Sequence, residues 1–75
     1  MKGLTEKKAL QDFGKTVRVC RKEQAMTQSA LANEMDVEIS QISRIERGLT
    51  NPTLLTIIRL ASGLRVSIGR LFAAT

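Results

Sequence analysis

The fold of this chain is decided by residues 26–48, which read MTQSALANEMDVEISQISRIERG. Threonine is a favoured N-cap residue because its hydroxyl accepts a hydrogen bond from a backbone N–H that has no partner within the helix. Thr27 therefore predicts a short helix that begins at Gln28. The apolar residues of this helix recur at helical spacing: Leu31, Ala32 and Met35. One face of the helix is consequently predicted to be buried.

A tight turn and a second short helix follow. Asp36 predicts the turn because aspartate tolerates the left-handed backbone conformation. The second helix is predicted to begin at about Glu38 and to end at Gly48, since glycine is the usual left-handed terminator. Its back is apolar, formed by Ile42 and Ile45, whereas its front is polar. Two helices joined in this way, the second with an exposed polar face, outline a helix-turn-helix reader of DNA.

The chain before this stretch is also predicted to be helical. A first helix from about Glu6 to Glu23 is capped by Thr5. Its inner stripe consists of Leu10, Phe13, Val17 and Cys20. Gly14 weakens this helix by about 1 kcal/mol relative to alanine, so the helix either bends there or is preceded by a separate arm. We therefore divide the chain into residues 1–12, a basic N-terminal arm or helix extension, and residues 13–75, the helix-turn-helix domain.

Two further helices are predicted after Gly48. Pro52 and Thr53 suit the start of a fourth helix, and Gly63 is expected to close it. Ser67 then caps a short fifth helix. The fourth helix carries more apolar residues than one core-facing stripe requires: Leu54, Ile57, Ile58, Ala61 and Leu64. Five helices without strands predict a compact all-α domain.

The order and spacing of these residues resemble those of the helix-turn-helix family of phage repressors, Cro proteins and xenobiotic-response-element regulators. The resemblance covers residues 13–72 and rests on Met26-Thr27-Gln28, Leu31-Ala32, Val37, Ile42 to Gly48, Pro52-Thr53-Leu54, Leu60-Ala61, Leu64, Val66-Ser67 and Leu71-Phe72. It implies a five-helix lambda-repressor-like fold and a homodimer that binds double-stranded DNA at a near-palindromic operator. The recognition helix, about residues 38–47, would lie in the major groove. A controller of a restriction-modification operon, or a phage or plasmid gene switch, fits this description.

The resemblance assigns base reading to four residues of the recognition helix: Glu38, Ile39, Ser40 and Arg44. Arg44 is the strongest candidate because a guanidinium can donate two hydrogen bonds to guanine, worth about 1–3 kcal/mol of discrimination. Its alternative role is an ion pair with a nearby carboxylate. Ile39 could contact a thymine methyl group or be an ordinary exposed isoleucine. Glu38 replaces the family's usual serine or threonine, and it either accepts from cytosine or, as we favour, complements the helix dipole.

Phosphate contacts would fix the register of the protein without reading sequence. The matching positions are Gln28, Gln41, Ser43, Arg47, Asn51 and Thr53. Gln28 is the first candidate because its amide and the unpaired N–H groups of the helix start can face one phosphate together. A plain polar residue at an exposed position is the alternative for Gln28, Asn51 and Thr53. The resemblance also implies a structural ion pair between Arg21 and Glu46, which would tie the recognition helix to the first helix.

Size and charge bear on the assembly and its partners. Seventy-five residues form one domain, and a core of this size rarely contributes more than about 3–5 kcal/mol, so a dimer would help. We predict a two-fold interface at surplus apolar residues that a monomer core could also absorb, namely Ile58, Ile68 and Leu71. The net charge of +5 favours a polyanionic partner. An acidic cluster opposes this trend, and we hypothesise that it contacts RNA polymerase: Glu34, Asp36 and Glu38.

The composition argues against catalysis, metal binding and membranes. The chain has no histidine and one cysteine, Cys20, which we expect to be a small buried core residue. It has no paired carboxylate motif, glycine-rich phosphate loop or cofactor fingerprint, so we expect no enzyme, cofactor, metal or small-molecule ligand. No apolar run is long enough for a membrane span or a signal peptide, so we expect a cytoplasmic location.

Two classes of function remain after these exclusions. The first, which we favour, is a sequence-specific transcriptional regulator. The second is an antitoxin that neutralises a toxin and regulates its own promoter. Antitoxins often carry an extra segment that wraps the toxin, and here only residues 1–12 could serve. Length therefore argues for the first class.

Overall fold

The computed structural model describes residues 5–73, and in that part of the chain it contains five helices. These are α1 (Glu6–Glu23), α2 (Gln28–Met35), α3 (Ile39–Glu46), α4 (Leu54–Leu64) and α5 (Ile68–Leu71). No strand occurs among these residues, so the predicted all-α fold is confirmed. The first four residues of the predicted N-terminal segment, and the last two of the chain, lie outside the described residues. None of the helices described is both long enough and apolar enough to span a membrane.

Side-chain hydroxyls cap four of the five helices at their N-termini. Each hydroxyl accepts a hydrogen bond from the backbone N–H three residues later: Thr5 from Lys8 (3.0 Å), Thr27 from Ala30 (3.0 Å), Thr53 from Thr56 (3.2 Å) and Ser67 from Arg70 (3.1 Å). The predicted helix starts are therefore confirmed. α3 is the exception, because its N-cap residue Glu38 makes no capping hydrogen bond. The position of α3 depends on tertiary packing instead.

Four helix ends share one backbone geometry. A residue with positive φ follows each of α1 to α4: Ala25 (55°), Asp36 (55°), Gly48 (72°) and Arg65 (59°). The next residue then donates its N–H to a carbonyl five residues earlier, at 2.9–3.1 Å, as in the Schellman motif. The expectations at Asp36 and Gly48 are confirmed. The expectation that Gly63 closes α4 is wrong, because α4 continues to Leu64 and turns at Arg65.

Burial of the following side chain explains why a non-glycine residue can end a helix here. A left-handed conformation costs an L-residue such as Arg65 about 1–2 kcal/mol. The next residue, Val66, packs against the core and donates its N–H to the Ala61 carbonyl at 3.0 Å. Gly63 has a different task, since a Cβ atom there would lie 3.1 Å from Leu31 Cδ1. It permits the close approach of α4 to α2.

The core is formed by apolar residues from all five helices. Its buried members are Phe13, Val17, Cys20, Leu31, Ala32, Met35, Ile42, Ile45, Leu60, Ala61, Leu64 and Leu71. Cys20 is fully buried as expected, and burial raises the pKa of its thiol. Leu71 is also 0% exposed. The prediction that Leu71 lies at a dimer surface is therefore wrong, because its side chain is buried in the core of a single chain.

Gly14 sets the distance between α1 and α3. A Cβ atom at this position would lie 2.6 Å from the Glu46 carbonyl oxygen and would also collide with that of Ile45. Such contacts are not tolerated, so only glycine allows the two helices to approach this closely. α1 runs through Gly14 without a break. Residues 6–12 are therefore a helical extension and not a separate arm.

Candidate nucleic-acid interface

α3 presents a polar front and an apolar back. On the back, Ile42 and Ile45 are buried in the core. On the front, the side chains of Ser40, Arg44 and Arg47 are exposed. Helical geometry places residues three and four apart on one face, so these three form a continuous polar surface. A helix with this surface has the size and side-chain types that fit the major groove of B-DNA.

Arg44 and Ile39 are both available to a ligand. Arg44 forms no ion pair with any carboxylate in residues 5–73, so the alternative of an intramolecular pair is not seen there. Ile39, the first residue of α3, is 50% exposed. Its side chain can offer a methyl group to a partner at the start of the helix.

A buried junction of Arg21, Glu46 and Gln28 joins α1, α2 and α3. Arg21 donates from Nε to Glu46 Oε2 at 2.7 Å and from Nη2 to Glu46 Oε1 at 3.0 Å. Its remaining nitrogen, Nη1, donates to the Met26 carbonyl at 2.8 Å. Both charged residues are only 8% exposed, and the hydrogen bond to Glu46 raises the pKa of Arg21. The junction therefore satisfies the hydrogen bonds of both charged groups, as buried ion pairs require.

Gln28 completes this junction, a role that the sequence did not reveal. Its Nε2 donates to Glu46 Oε1 at 3.1 Å, so its amide is oriented by the protein. Gln28 is at the start of α2 and Glu46 is the last residue of α3, and the bond fixes one helix relative to the other. Gln28 and Glu46 are 18 residues apart, so no local sequence pattern links them. The ion pair predicted between Arg21 and Glu46 was the one feature of the sequence that pointed to this region.

The start of α2 keeps backbone donors for an outside ligand. Thr27 accepts the N–H of Ala30, which satisfies one donor of the first turn. The N–H groups of Gln28 and Ser29 precede any acceptor within the helix. Unpaired N–H groups and the helix dipole together favour an anion at this end. The oriented Gln28 amide lies beside this position.

The other residues predicted to contact phosphate differ in how many hydrogen bonds their side chains already make within the protein. The Thr53 hydroxyl caps α4 and shares a 3.0 Å hydrogen bond with the Thr56 hydroxyl. Arg47 is exposed, and its Nε donates to the Ser43 carbonyl at 3.3 Å, which leaves its other nitrogens for a partner. Asn51 is exposed in the loop before α4. Gln41 and Ser43 are half-buried on α3.

The acidic cluster runs from the last turn of α2 to the start of α3, and Glu34 and Asp36 border a groove with Arg59 of α4. Glu34, Asp36 and Glu38 are all exposed, and none of them forms an ion pair within residues 5–73. Glu38 is the N-cap residue of α3, where a negative charge is stabilised by the helix dipole. This position agrees with the structural interpretation that we favoured for Glu38.

Comparison with known proteins identifies the family. The sequence pattern of the HTH_3 helix-turn-helix family matches residues 17–71. The restriction-modification controller protein C.AhdI from Aeromonas hydrophila is 32% identical, over 84% of this chain and 96% of that one, with a TM-score of 0.82. The controller protein C.Esp1396I, solved as a tetramer in complex with its natural 35-base-pair operator, is 31% identical over 85% of this chain and 84% of its own, with a TM-score of 0.78.

A longer regulator is also similar. An HTH_3 family transcriptional regulator from Vibrio cholerae is 29% identical over 92% of this chain but only 39% of its own length, with a TM-score of 0.85. No curated protein sequence matches the chain. The matched family covers most of the chain, including every residue of the junction and of the polar front of α3. The chain therefore belongs to the HTH_3 family and is a helix-turn-helix, DNA-binding transcriptional regulator of the Cro/C1 type.

Proposed function

We propose that the protein binds a near-palindromic operator as a homodimer, with α3 of each protomer in the major groove. The observation that carries this proposal is the exposed polar front of α3, held in place from behind by the buried junction of Arg21, Glu46 and Gln28. A reading helix must be positioned rigidly, because a bidentate contact to a base depends on its geometry. Similarity to C.AhdI and C.Esp1396I supports control of a restriction-modification operon as the physiological role.

Sequence preference is assigned to the start and the front of α3. Arg44 donates to guanine O6 and N7, and Ile39 contacts a thymine methyl group. Ser40, exposed between them, adds a hydroxyl that can donate or accept. Glu38 accepts from cytosine N4 only where the operator places a cytosine at the start of the helix. Elsewhere its carboxylate complements the helix dipole.

Contacts to phosphates, which do not read bases, would fix the position of the protein along the duplex. The start of α2 binds one phosphate through its backbone N–H groups, with the amide of Gln28 beside it. Arg47 provides a charge at the other end of α3. The remaining contacts come from polar side chains around these two points: Gln41, Ser43, Asn51 and Thr53.

Dimerisation is assigned to apolar residues that the single chain leaves exposed on α4 and α5. Ile58 is 43% exposed and Ile68 is 41% exposed. Leu54 and Leu55, at the start of α4, are also exposed. A two-fold interface here buries apolar surface that one chain cannot cover and gives the small core additional stability. It also sets two copies of α3 about 34 Å apart, one turn of DNA.

Selection against randomised DNA at about 0.15 M salt tests the proposal. We expect a near-palindromic consensus with half-sites about ten base pairs apart. Arg44→Ala should weaken binding by about 1–3 kcal/mol per half-site and relax preference at one base pair in each. Arg59→Ala is the matched control, because it removes one exposed arginine from α4 and should leave the consensus intact. Absence of any enriched sequence would refute sequence-specific reading and favour the antitoxin function.

The acidic cluster is a candidate contact for RNA polymerase, which would allow the protein to activate transcription as well as to bind DNA. Glu34, Asp36 and Glu38 are exposed between the last turn of α2 and the start of α3, where RNA polymerase bound next to the operator could contact them. Replacing the three with their amides should abolish activation in transcription assays while operator affinity stays unchanged or rises. Loss of both activation and operator binding would count against the contact.

A further inference from the structure

The exposed residues of α1 are segregated by charge along the helix. At 100° per residue, five exposed residues at spacings of three and four form one edge, here called the basic edge: Lys7, Gln11, Lys15, Arg18 and Lys22. Four of the five are positively charged. Among residues 5–73 none of these four cations pairs with a carboxylate. The basic edge is thus a row of uncompensated charge along most of α1.

Two carboxylates of α1 flank the basic edge, and both are paired with cations that are not part of it. Asp12 accepts from Lys8 at 3.4 Å, and Glu23 accepts two hydrogen bonds from Arg70 of α5 at 3.1 and 3.2 Å. Among residues 5–73, Glu46 is the acidic residue at the contact between α1 and α3, and its charge is paired with Arg21. Pairing reduces the opposing field of Asp12, Glu23 and Glu46 at the basic edge, and Glu6, the remaining carboxylate of α1, lies on the far side of the helix.

Packing contacts locate the basic edge beside the reading helix. Gly48, in the turn after α3, lies against Gln11, since a Cβ atom there would be 2.9 Å from Gln11 Cα. At its other end, Lys22 follows Arg21, which bonds to Glu46 and to the carbonyl of Met26 just before α2. The edge therefore runs from the turn after α3 towards the start of α2. Both ends meet elements to which phosphate contacts are assigned.

We propose that the basic edge binds phosphates of the DNA backbone next to those held by α2 and α3. This inference rests on the proposed function, which supplies the duplex. Phosphate contacts need charge and reach but no apolar surface, and lysine and arginine supply both. Protein interfaces are instead apolar at their centre and depleted in lysine, whereas none of the five residues of this edge is apolar and one exposed apolar side chain, Val19, lies at its border. DNA is therefore a better match than an acidic protein.

The test compares two double variants that each remove two positive charges. Arg18→Gln/Lys22→Gln acts on the basic edge. Arg59→Gln/Arg65→Asn acts on exposed arginines of the α4 region, and asparagine tolerates the left-handed backbone at position 65. Affinity is measured across a salt series for the selected site and for a random duplex of equal length. Equal Tm values establish that both variants fold, and Lys7→Gln/Lys15→Gln replaces the first variant if its Tm falls.

The basic-edge variant should bind both duplexes more weakly by a similar factor, on the order of tenfold at 0.15 M salt. The slope of log K against log salt should fall by about 0.9 for each lost phosphate contact, and the ratio between the two duplexes should stay the same. The control variant should keep the wild-type slope.

The outcomes separate this inference from the proposed function. If the wild type prefers its selected site but both variants keep its slope, the basic edge does not bind DNA and the proposed function stands. If the wild type has no sequence preference but the basic-edge variant alone loses slope, the edge binds DNA and the proposed function fails. If the wild type binds neither duplex, both are overturned.

Discussion

Two ion pairs join α1 to other helices, and their surroundings differ. Arg21 and Glu46 pair at 2.7 Å with side chains that are 10% and 3% exposed. Arg70 and Glu23 pair at 3.1 Å with side chains that are 41% and 53% exposed. Both arginines make two hydrogen bonds to their carboxylate. The residue types are the same, but Arg21 donates from two nitrogens and Arg70 from Nη2 alone. We expect the difference in burial to decide how much each pair contributes to stability.

The physical difference lies in what happens when one partner is lost. Water solvates an exposed charge that loses its partner, so a surface pair contributes about 0–1 kcal/mol. Water cannot reach a buried charge that loses its partner, so the free-energy cost of removing that charge from water is no longer offset. The buried pair also holds the end of α3 against α1 and α2, whereas the surface pair holds only the short α5. The pair beneath the reading helix is therefore the one on which the candidate interface depends.

The largest effect is expected from Glu46→Ala. The substitution strands the guanidinium of Arg21 and frees the amide of Gln28, so we expect a loss of about 3–5 kcal/mol in the free energy of unfolding, measured by urea titration. Loss of DNA binding in this variant would reflect displacement of α3. Arg21→Met/Glu46→Leu is the sharper test, because an apolar pair should recover much of the lost stability. A double variant as unstable as Glu46→Ala would contradict this explanation.

Gly14→Ala should have the next largest effect, because it forces apart α1 and α3, whose close packing buries the pair of Arg21 and Glu46. The added Cβ atom collides with the Ile45 and Glu46 carbonyl oxygens, and overpacking of this kind costs about 1–3 kcal/mol. The control is Gly69→Ala in α5, where the nearest atom would be 3.8 Å away. The control should be neutral or slightly stabilising, since alanine restricts the unfolded chain. Equal Tm values for the two variants would refute the role given to Gly14.

The smallest effect is expected from Glu23→Ala. Removing this exposed carboxylate should change the free energy of unfolding by less than about 1 kcal/mol, and the change should shrink as salt is added. Thermal unfolding at low and high ionic strength measures both quantities. A large and salt-independent loss would show that the surface pair behaves like the buried one, and the contrast between them would fail.

Local signals predicted the helix boundaries well because they act within a few residues. Thr27, Thr53 and Ser67 cap their helices through hydroxyl bonds that span three residues. Asp36 adopts the left-handed conformation that its residue type permits. The prediction at Gly63 was wrong because Gly63 lies inside α4, where a Cβ atom would be 3.1 Å from Leu31 Cδ1 on α2. A glycine needed for packing is indistinguishable in sequence from a glycine needed for a turn.

The candidate site was predicted in outline but not in its contacts. The exposed front of α3 follows from helical periodicity once Ile42 and Ile45 are assigned to the core. The hydrogen bond from Gln28 to Glu46 does not follow, because it joins residues on different helices. Leu71 shows the same limit, since an apolar residue on a short helix suits a core and an interface equally well. Its complete burial distinguishes the two.

The sequence by itself determined the number of helices, their starts, the position of the turn and the polar face of the recognition helix. These depend on capping chemistry, backbone preference and periodicity, all of which are properties of neighbouring residues. Only the tertiary structure decided that Arg65 ends α4, that Leu71 is core, that Gln28 completes the buried junction and that the basic edge of α1 borders the turn after α3. These depend on distances between helices, which the packing of the whole chain sets.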